Sequence, residues 1–326
     1  MTGGTGFVGA AVARSALEAG HHVRVLVRPS SDRRNLEGLP VEIREGDLLD
    51  PASLEAALNG CRYLFHVAAE YRLWHPHPRT LFAVNVDGTL NALRAAHGAG
   101  VDRVVYTSSV ATLGLRSDGE PADEETPIDE AEVIGPYKQS KFFAEREALR
   151  FADVQGLDLV VVNPSTPVGP GDRKPTPTGR LVLDAAAGRT PASVDTGLNL
   201  VHVDDVARGH LLALERGEGG RRYVLGGRNL SLEQILSEIA ALTGRPPPRF
   251  KLRPGWLLPL GYAAQAWARV AHTGEPRLTV DGLRLARKRM YFSDARARAE
   301  LGYHSRDPIK GLRDAVAWFR EEGYLR

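Results

Sequence analysis

The chain has 326 residues, 43% hydrophobic and 25% charged, an ordinary globular composition with length for about two domains. Its 42 basic and 40 acidic residues leave a net charge of +2, which excludes nucleic-acid binding by bulk charge. A single cysteine, Cys61, excludes a disulfide scaffold and a cysteine-built zinc site. No apolar run approaches the roughly 20 residues that span a bilayer, and no signal-peptide pattern opens the chain, so a cytoplasmic location is expected.

In chain order, the first half alternates short Val-rich strands with helical patterns, as a parallel α/β sheet does. A glycine-rich turn leads into a helix over Phe7–Ala19, with Val8, Val12 and Ala16 on one face and Gly20 as its stop. Strands are expected at Val23–Val27, Val41–Arg44, Arg62–Val67, Arg103–Ser108 and Leu157–Val162. Helices are expected at Pro51–Leu58 (capped by Asp50), Thr80–Ala99 and Tyr137–Phe151. Residues 164–180 are rich in Pro, Thr and Gly and read largely as loop. A strand at Leu198–Asp204, expected to return to the main sheet, precedes a helix at Asp205–Arg216 and a short strand at Arg222–Leu225. Ser231 then caps a helix over Leu232–Thr243, and Pro308–Glu321 spaces Ile309, Leu312, Val316 and Phe319 as one apolar face. The expected architecture is a doubly wound parallel sheet in residues 1–163, with 198–225 returning to it. Residues 164–197 and 226–326 form a smaller substrate-binding unit.

Gly3, Gly6 and Gly9 stand at G-x-x-G-x-x-G spacing directly before the first helix. Glycines there let backbone N–H groups approach a pyrophosphate and let helix and sheet pack closely, while the helix N-terminus supplies partial positive charge. Such a loop normally follows a central strand, and here only Met1 and Thr2 precede it. The first strand is therefore expected to be missing from this chain, through a truncated or misassigned start, with a chain that begins in the loop and tolerates the gap as the alternative.

At the end of the second strand an acidic residue reads a ribose 2′-hydroxyl, whereas arginine accommodates a 2′-phosphate. Arg28 occupies that position, with Ser30, Arg33 and Arg34 as further donors, so NADP is favoured; Asp32 keeps NAD open. Asp47, in Gly46-Asp47-Leu48, is placed to meet an adenine amino group or else to cap the next helix.

Tyr137 and Lys141 lie four apart and so on one helix face. An ammonium and a positive nicotinamide ring both favour phenolate, which makes such a tyrosine a proton relay for a substrate hydroxyl. Tyr106-Thr107-Ser108-Ser109 ends a strand, where open α/β sheets bind ligands, and a serine there can hold the substrate oxygen.

With these motifs the chain resembles an extended short-chain dehydrogenase/reductase of the NAD-dependent epimerase/dehydratase type. Tyr71-Arg72-Leu73-Trp74, Asn85-Val86-Asp87-Gly88-Thr89, Tyr106–Gly114 and Asn163–Asp172 are similar to the hopanoid-associated sugar epimerases, which themselves resemble dihydroflavonol 4-reductases. The resemblance implies a catalytic set of Ser109, Tyr137 and Lys141, with Ser109 preferred to Ser108. It implies cofactor contacts from Gly3, Thr5, Gly6, Phe7, Val8, Gly9, Arg28, Asp47, Leu48, Val67, Ala68, Ala69, Asn85, Pro164, Ser165 and Thr166, besides Tyr137 and Lys141. Ser109, Asn163 and Arg180 are the implied substrate contacts, and Leu200–Asp205 matches the family's V-H-V-D-D segment. In the implied mechanism Tyr137 takes the hydroxyl proton as hydride passes to the nicotinamide, Lys141 holds the ribose and lowers the phenol pKa, and Ser109 orients the oxygen. A homodimer through helices Thr80–Ala99 and Tyr137–Phe151 is also implied.

Other candidates have plainer readings. His75 and His77 read as a loop at the substrate mouth, with no metal site. His202 reads as structural, and the acidic residues of 123–125 and 129–132 as a solvated loop. Arg173, Lys174 and Arg180 are candidates to clamp a phosphorylated substrate, equally surface charge. The apolar segment Trp256–Val270 reads as a packed or substrate-pocket helix, with weak association to a membrane surface as the competing reading. The leading functional reading is NAD(P)-dependent sugar epimerisation. NADP-dependent ketone or aldehyde reduction is the alternative, and a non-catalytic cofactor sensor or scaffold is the reading from another class.

Overall fold

The protein is described by a computed structural model covering all residues except 72–77, 253, 272–275, 277–278 and 326. The sites expected at Arg72–Trp74, His75 and His77 lie outside the described residues, as do the side chains of Trp256 and Arg269. In order, the first half contains α1 (Phe7–Glu18), β1 (Arg24–Val27), β2 (Glu42–Glu45), α2 (Pro51–Leu58), β3 (Tyr63–His66), α3 (Pro78–Phe82), α4 (Gly88–Gly98), β4 (Arg103–Thr107), α5 (Pro136–Gln155) and β5 (Leu159–Pro164). The second half adds β6 (Thr166–Val168), α6 (Pro177–Ala186), β7 (Ala192–Val194), β8 (Gly197–His202), α7 (Val203–Arg216), β9 (Arg222–Leu225) and β10 (Arg228–Ser231). It continues with α8 (Leu232–Thr243), β11 (Phe250–Leu252), α9 (Leu258–Ala271), α10 (Val280–Leu285), β12 (Arg289–Met290) and α11 (Pro308–Glu321).

Local chemistry explains many of these boundaries. Asp50 accepts from the Ala52 N–H with Pro51 opening α2, and Asp307 accepts from the Ile309 N–H with Pro308 opening α11. Ser231 and Gln234 form a reciprocal capping box on α8. Gly156 ends α5 in the left-handed conformation, φ 64°. The single helix expected over Thr80–Ala99 is instead α3 and α4 joined by a π-helical turn, Ala83–Asp87, which contains the buried Asn85.

The main sheet is parallel throughout. β1 pairs with β2, and β3, β4, β5 and β9 follow one another. Between β1 and β3 the central slot is held by Met1 and Thr2. Thr2 bridges in parallel to both Leu26 and His66, the Thr2 N–H donates to Phe65 O at 3.0 Å, and the Leu26 N–H donates to Met1 O at 2.9 Å. The Arg24 guanidinium reaches the α2–β3 connection, donating to Ala57 O at 2.9 Å and Asn59 O at 2.7 Å. Two residues thus stand at the position of the expected first strand. One core lies between this sheet and α1 and α7, including Val12, Val25, Val105, Val160 and Val206; another lies under α2, α4 and α5.

The strand expected to return to the main sheet does not. β8 is the centre of a second sheet, antiparallel to β10 and parallel to β6 and β12. The elements that return are α7, packed on α1, and β9, paired with β5. An apolar run serves either sheet equally well, so its sequence alone does not choose the partner.

Two surface readings are also corrected. Glu124, expected in a solvated loop, is 2% exposed and accepts from the Val224 N–H of edge strand β9 at 2.7 Å. The apolar helix expected to pack as core or pocket wall leaves Leu260, Tyr262 and Trp267 exposed, and among the described residues none of α9 lines the cleft described below. Among the described residues, no helix is long and apolar enough to cross a membrane.

Candidate active site

A cleft of about 1460 Å³ opens along the C-terminal ends of β1, β3, β4 and β5, with α5 on one side and the second half of the chain on the other. At one end lies the glycine loop. Gly3 has φ 73°, and a Cβ there would sit 2.6 Å from Ala68 N; a Cβ on Gly9 would sit 2.0 Å from Gly3 O. The Gly6 N–H donates to Gly3 O at 2.9 Å, which folds the turn back on itself. No side chain caps α1, and its first turn carries no acidic residue, so its N-terminal dipole faces the cleft uncompensated.

Thr5, Gly6, Phe7, Val8, Arg28, Asp47, Leu48, Val67, Ala68, Ala69, Pro164, Ser165 and Thr166 join Gly3 and Gly9 as lining. The Ser165 hydroxyl is buried with no partner, a polar group aimed at this space. A cradle that any side chain would fill, an open helix N-terminus and this orphaned hydroxyl fit an elongated phosphate-bearing cofactor.

The basic cluster after β1 separates on inspection of its partners. Arg34 grips Asp32 through Nε and Nη2, at 3.0 and 2.6 Å, holding that carboxyl well below its usual range. Arg33 pairs with Glu45 at 2.5 Å. The exposed Arg28 guanidinium has neither hydrogen bond nor ion pair among the described residues, and it lines the cleft.

Ser109, Tyr137 and Lys141 line the same cleft. Pro136 opens α5 behind Gly135, which has φ 86°, and this places Tyr137 in the first turn. Burial pushes the Tyr137 phenol up, reinforced by the phenols of Tyr71 and Tyr106, while Ser109 acts in the opposite direction. Ser109 accepts from the Ala111 N–H at 3.1 Å, which leaves its own O–H free to donate. Lys141 is 1% exposed and donates to Tyr106 Oη at 3.0 Å and Thr107 O at 2.9 Å; burial lowers its pKa to about 8. Both hydrogen bonds of the lysine go to β4.

Two expected contact residues stand behind the cleft instead of facing it. Asn85 is 1% exposed; it accepts from the Glu70 N–H at 2.8 Å and donates to Glu70 O and to Ser140 Oγ, clamping the exit of β3 to α5. Asn163 is fully buried and donates to Ser109 O at 3.1 Å, Thr112 Oγ1 at 3.1 Å and Glu145 Oε2 at 2.8 Å. Both NH2 groups are engaged in positioning other site residues, while Asn163 Oδ1 is buried without a partner. Arg180 does line the cleft, whereas Arg173 is committed to Glu322, at 2.5 Å, and to Asn35, so it is no free substrate clamp. His202 caps α7 and contacts Asp314 at 3.1 Å, the structural role expected of it.

Other residues escaped the sequence reading. Glu145, 4% exposed, accepts from Thr112 and Asn163 and so braces the Ser109 turn. Its spacing, four beyond Lys141 on the same face, is the signal that finds it. The ring of Tyr71 lies 4.6 Å from that of Tyr137. His66 links Thr2, at 2.8 Å, to Thr89, at 3.0 Å, and the Thr89 hydroxyl donates to Asn85 O. Tyr71 belongs to the run Tyr71–Trp74 that carries the resemblance, though without a role there, and no local pattern announces His66.

Residues 1–226 match the NAD dependent epimerase/dehydratase family. A putative dihydroflavonol 4-reductase from Synechocystis sp. is 47% identical, across 100% of this chain and 95% of its own length. Sterol demethylase protein B of Methylococcus capsulatus is 36% identical, across 100% and 99%. The crystal structure of gox2253 superposes with a TM-score of 0.90 at 52% identity, covering 100% of this chain and 98% of that one.

Proposed function

Because the chain belongs to the NAD-dependent epimerase/dehydratase family, the extended short-chain dehydrogenase/reductases, we propose that it is an NADP-dependent oxidoreductase interconverting a ketone and a hydroxyl on a bulky, largely apolar substrate. The free Arg28 guanidinium at the end of β1 carries this reading. It is open to a 2′-phosphate, while Asp32, the carboxylate that would favour NAD, is held by Arg34. NADP suits net reduction, since an epimerase recycles its own cofactor.

The substrate half of the cleft supports the same reading through Leu113, Leu115, Ile128, Val133, Leu285 and Phe292. A sugar presents hydroxyls that such a wall leaves unpaired, so reduction ranks above the sugar epimerisation that the resemblance implies. The names of the similar proteins, a dihydroflavonol reductase and a sterol demethylase component, also point to ring systems with large apolar faces.

Bound nicotinamide supplies the hydride chemistry. The protein's own residues do the rest. Tyr137 gives a proton to the developing alkoxide, or takes one from the hydroxyl in the reverse direction. Ser109 donates to the same oxygen and fixes its direction. Lys141, held by Tyr106 and Thr107, would supply positive charge to the bound cofactor's ribose hydroxyls. Glu145 and Asn163 keep the Ser109 turn in place.

Initial rates with NADPH and NADH test the proposal, using a dihydroflavonol and a 3-oxosteroid as substrates. NADPH is expected to be preferred, and Arg28→Ala to reduce kcat/KM for NADPH by roughly 10- to 100-fold, the worth of one or two charge-assisted hydrogen bonds. Equal use of the two cofactors by the unaltered protein overturns it.

A further inference from the structure

Resting on that reading of the cleft, we propose that the substrate carries an oxyanion, held by Lys138 of α5 and Lys288 in the turn between α10 and β12. Both residues line the cleft, and Lys138 Nζ lies 3.8 Å from the Sδ of Met290, two residues beyond Lys288. They come from distant parts of the chain, and the fold alone brings them together.

Among the described residues, neither ammonium forms an ion pair. There Lys138 Nζ meets Met290 Sδ at 3.8 Å, and a thioether is a weak acceptor. Lys288 has no side-chain hydrogen bond or ion pair among the described residues. The acids nearby do not fill the gap. Asp281 faces Gly135 but pairs with Arg284 at 3.6 Å, and Glu132 lines the cleft without an ion pair to either lysine. Burial, with the charge of Lys288 added, lowers the Lys138 pKa to about 8. Two like charges facing one apolar-walled space are costly unless an anion completes the set.

Residue usage sharpens the point. Only six of the 42 basic residues are lysine, and Lys138, Lys141, Lys174 and Lys288 all line this cleft. Surface ion pairs elsewhere are made almost wholly by arginine. Two ammonium groups lining the cleft that Tyr137 also lines suit a carboxylate or phosphate on the molecule whose carbonyl Tyr137 serves.

The test compares 3-benzoylpropionate, its methyl ester and phenacyl phosphate, titrated calorimetrically into the protein saturated with NADP⁺. The expected result is that at least one anion binds roughly 10-fold tighter than the ester, and that the anion-to-ester ratio falls toward one in Lys138→Gln and Lys288→Gln. The preferred anion distinguishes a carboxylate from a phosphate. An ester bound as tightly as both anions overturns the inference, and so does a ratio that both substitutions leave unchanged. NADPH oxidation with the ester reads the function separately. Ester turnover without anion preference sinks only this inference, while anion preference without turnover of any probe sinks only the reductase reading.

Discussion

A single methyl group at Gly9 is enough to break the glycine loop, because it would stand 2.0 Å from Gly3 O, well inside contact distance. That oxygen is itself fixed by the Gly6 N–H and cannot swing aside without opening the turn. Gly9→Ala is therefore expected to weaken NADPH binding by at least roughly 100-fold, as measured by cofactor fluorescence, with α1 retained. Unchanged affinity would detach this loop from cofactor binding. The Tyr137 phenol sits beside the phenols of Tyr71 and Tyr106, and burial pushes it up while Ser109 acts in the opposite direction.

The site depends most on α5 among the elements. At spacings of four, Tyr137, Lys141 and Glu145 carry the phenol, the ammonium and the carboxylate that braces Ser109, while Ser140 on an adjacent face receives Asn85. The π-helical turn Ala83–Asp87 brings Asn85 to that helix, which is why one uninterrupted helix would not serve there. At the opposite edge of the sheet, β9 has β5 on one side only, and Glu124 supplies an acceptor for the Val224 N–H on the other. Glu124→Ala leaves that buried donor unpaired, and urea unfolding is expected to show a loss of about 1–3 kcal/mol. A midpoint unaltered by the substitution would mean that water replaces the carboxylate there.

Across the whole molecule, two histidines buried as neutral rings tie distant elements together and make stability depend on pH. His66 bridges the N-terminal residues to α4, and its pKa is lowered to about 3 by burial, with the charges of Lys141 and the N-terminal amine adding to the shift. His210 on α7 links Val206 O, at 2.7 Å, to the Thr107 hydroxyl of β4, at 2.8 Å, and burial lowers its pKa to about 4. Both folded values lie below the unfolded one. Their contribution is complete above about pH 6.5 and is lost as pH falls toward 4 and then 3. Each histidine adds a slope of about 1.4 kcal/mol per pH unit over its window. Urea midpoints measured between pH 7 and pH 4 are expected to fall steeply, and His210→Gln is expected to flatten the descent. A flat profile over that range would show that these rings are already protonated in the native state.

How far the sequence reaches follows from the range of the forces involved. The glycine loop, the caps of α2, α8 and α11, the alternation of strands and helices, and the Tyr137–Lys141 spacing are all set by interactions within a few residues. They are legible one segment at a time. Which partner a segment takes is a different kind of fact. The same apolar pattern allowed β8 to join either sheet, and equally basic side chains proved to be engaged at Arg34 and Arg173 but open at Arg28. Asn163 and Asn85 lie behind the cleft, where buried carboxylates, carbonyls and hydroxyls accept from their NH2 groups. Lys138 met the Met290 region across 152 positions of chain. Such pairings leave no local signature, since they come from closing long loops and burying polar groups together, and the tertiary structure alone decided them.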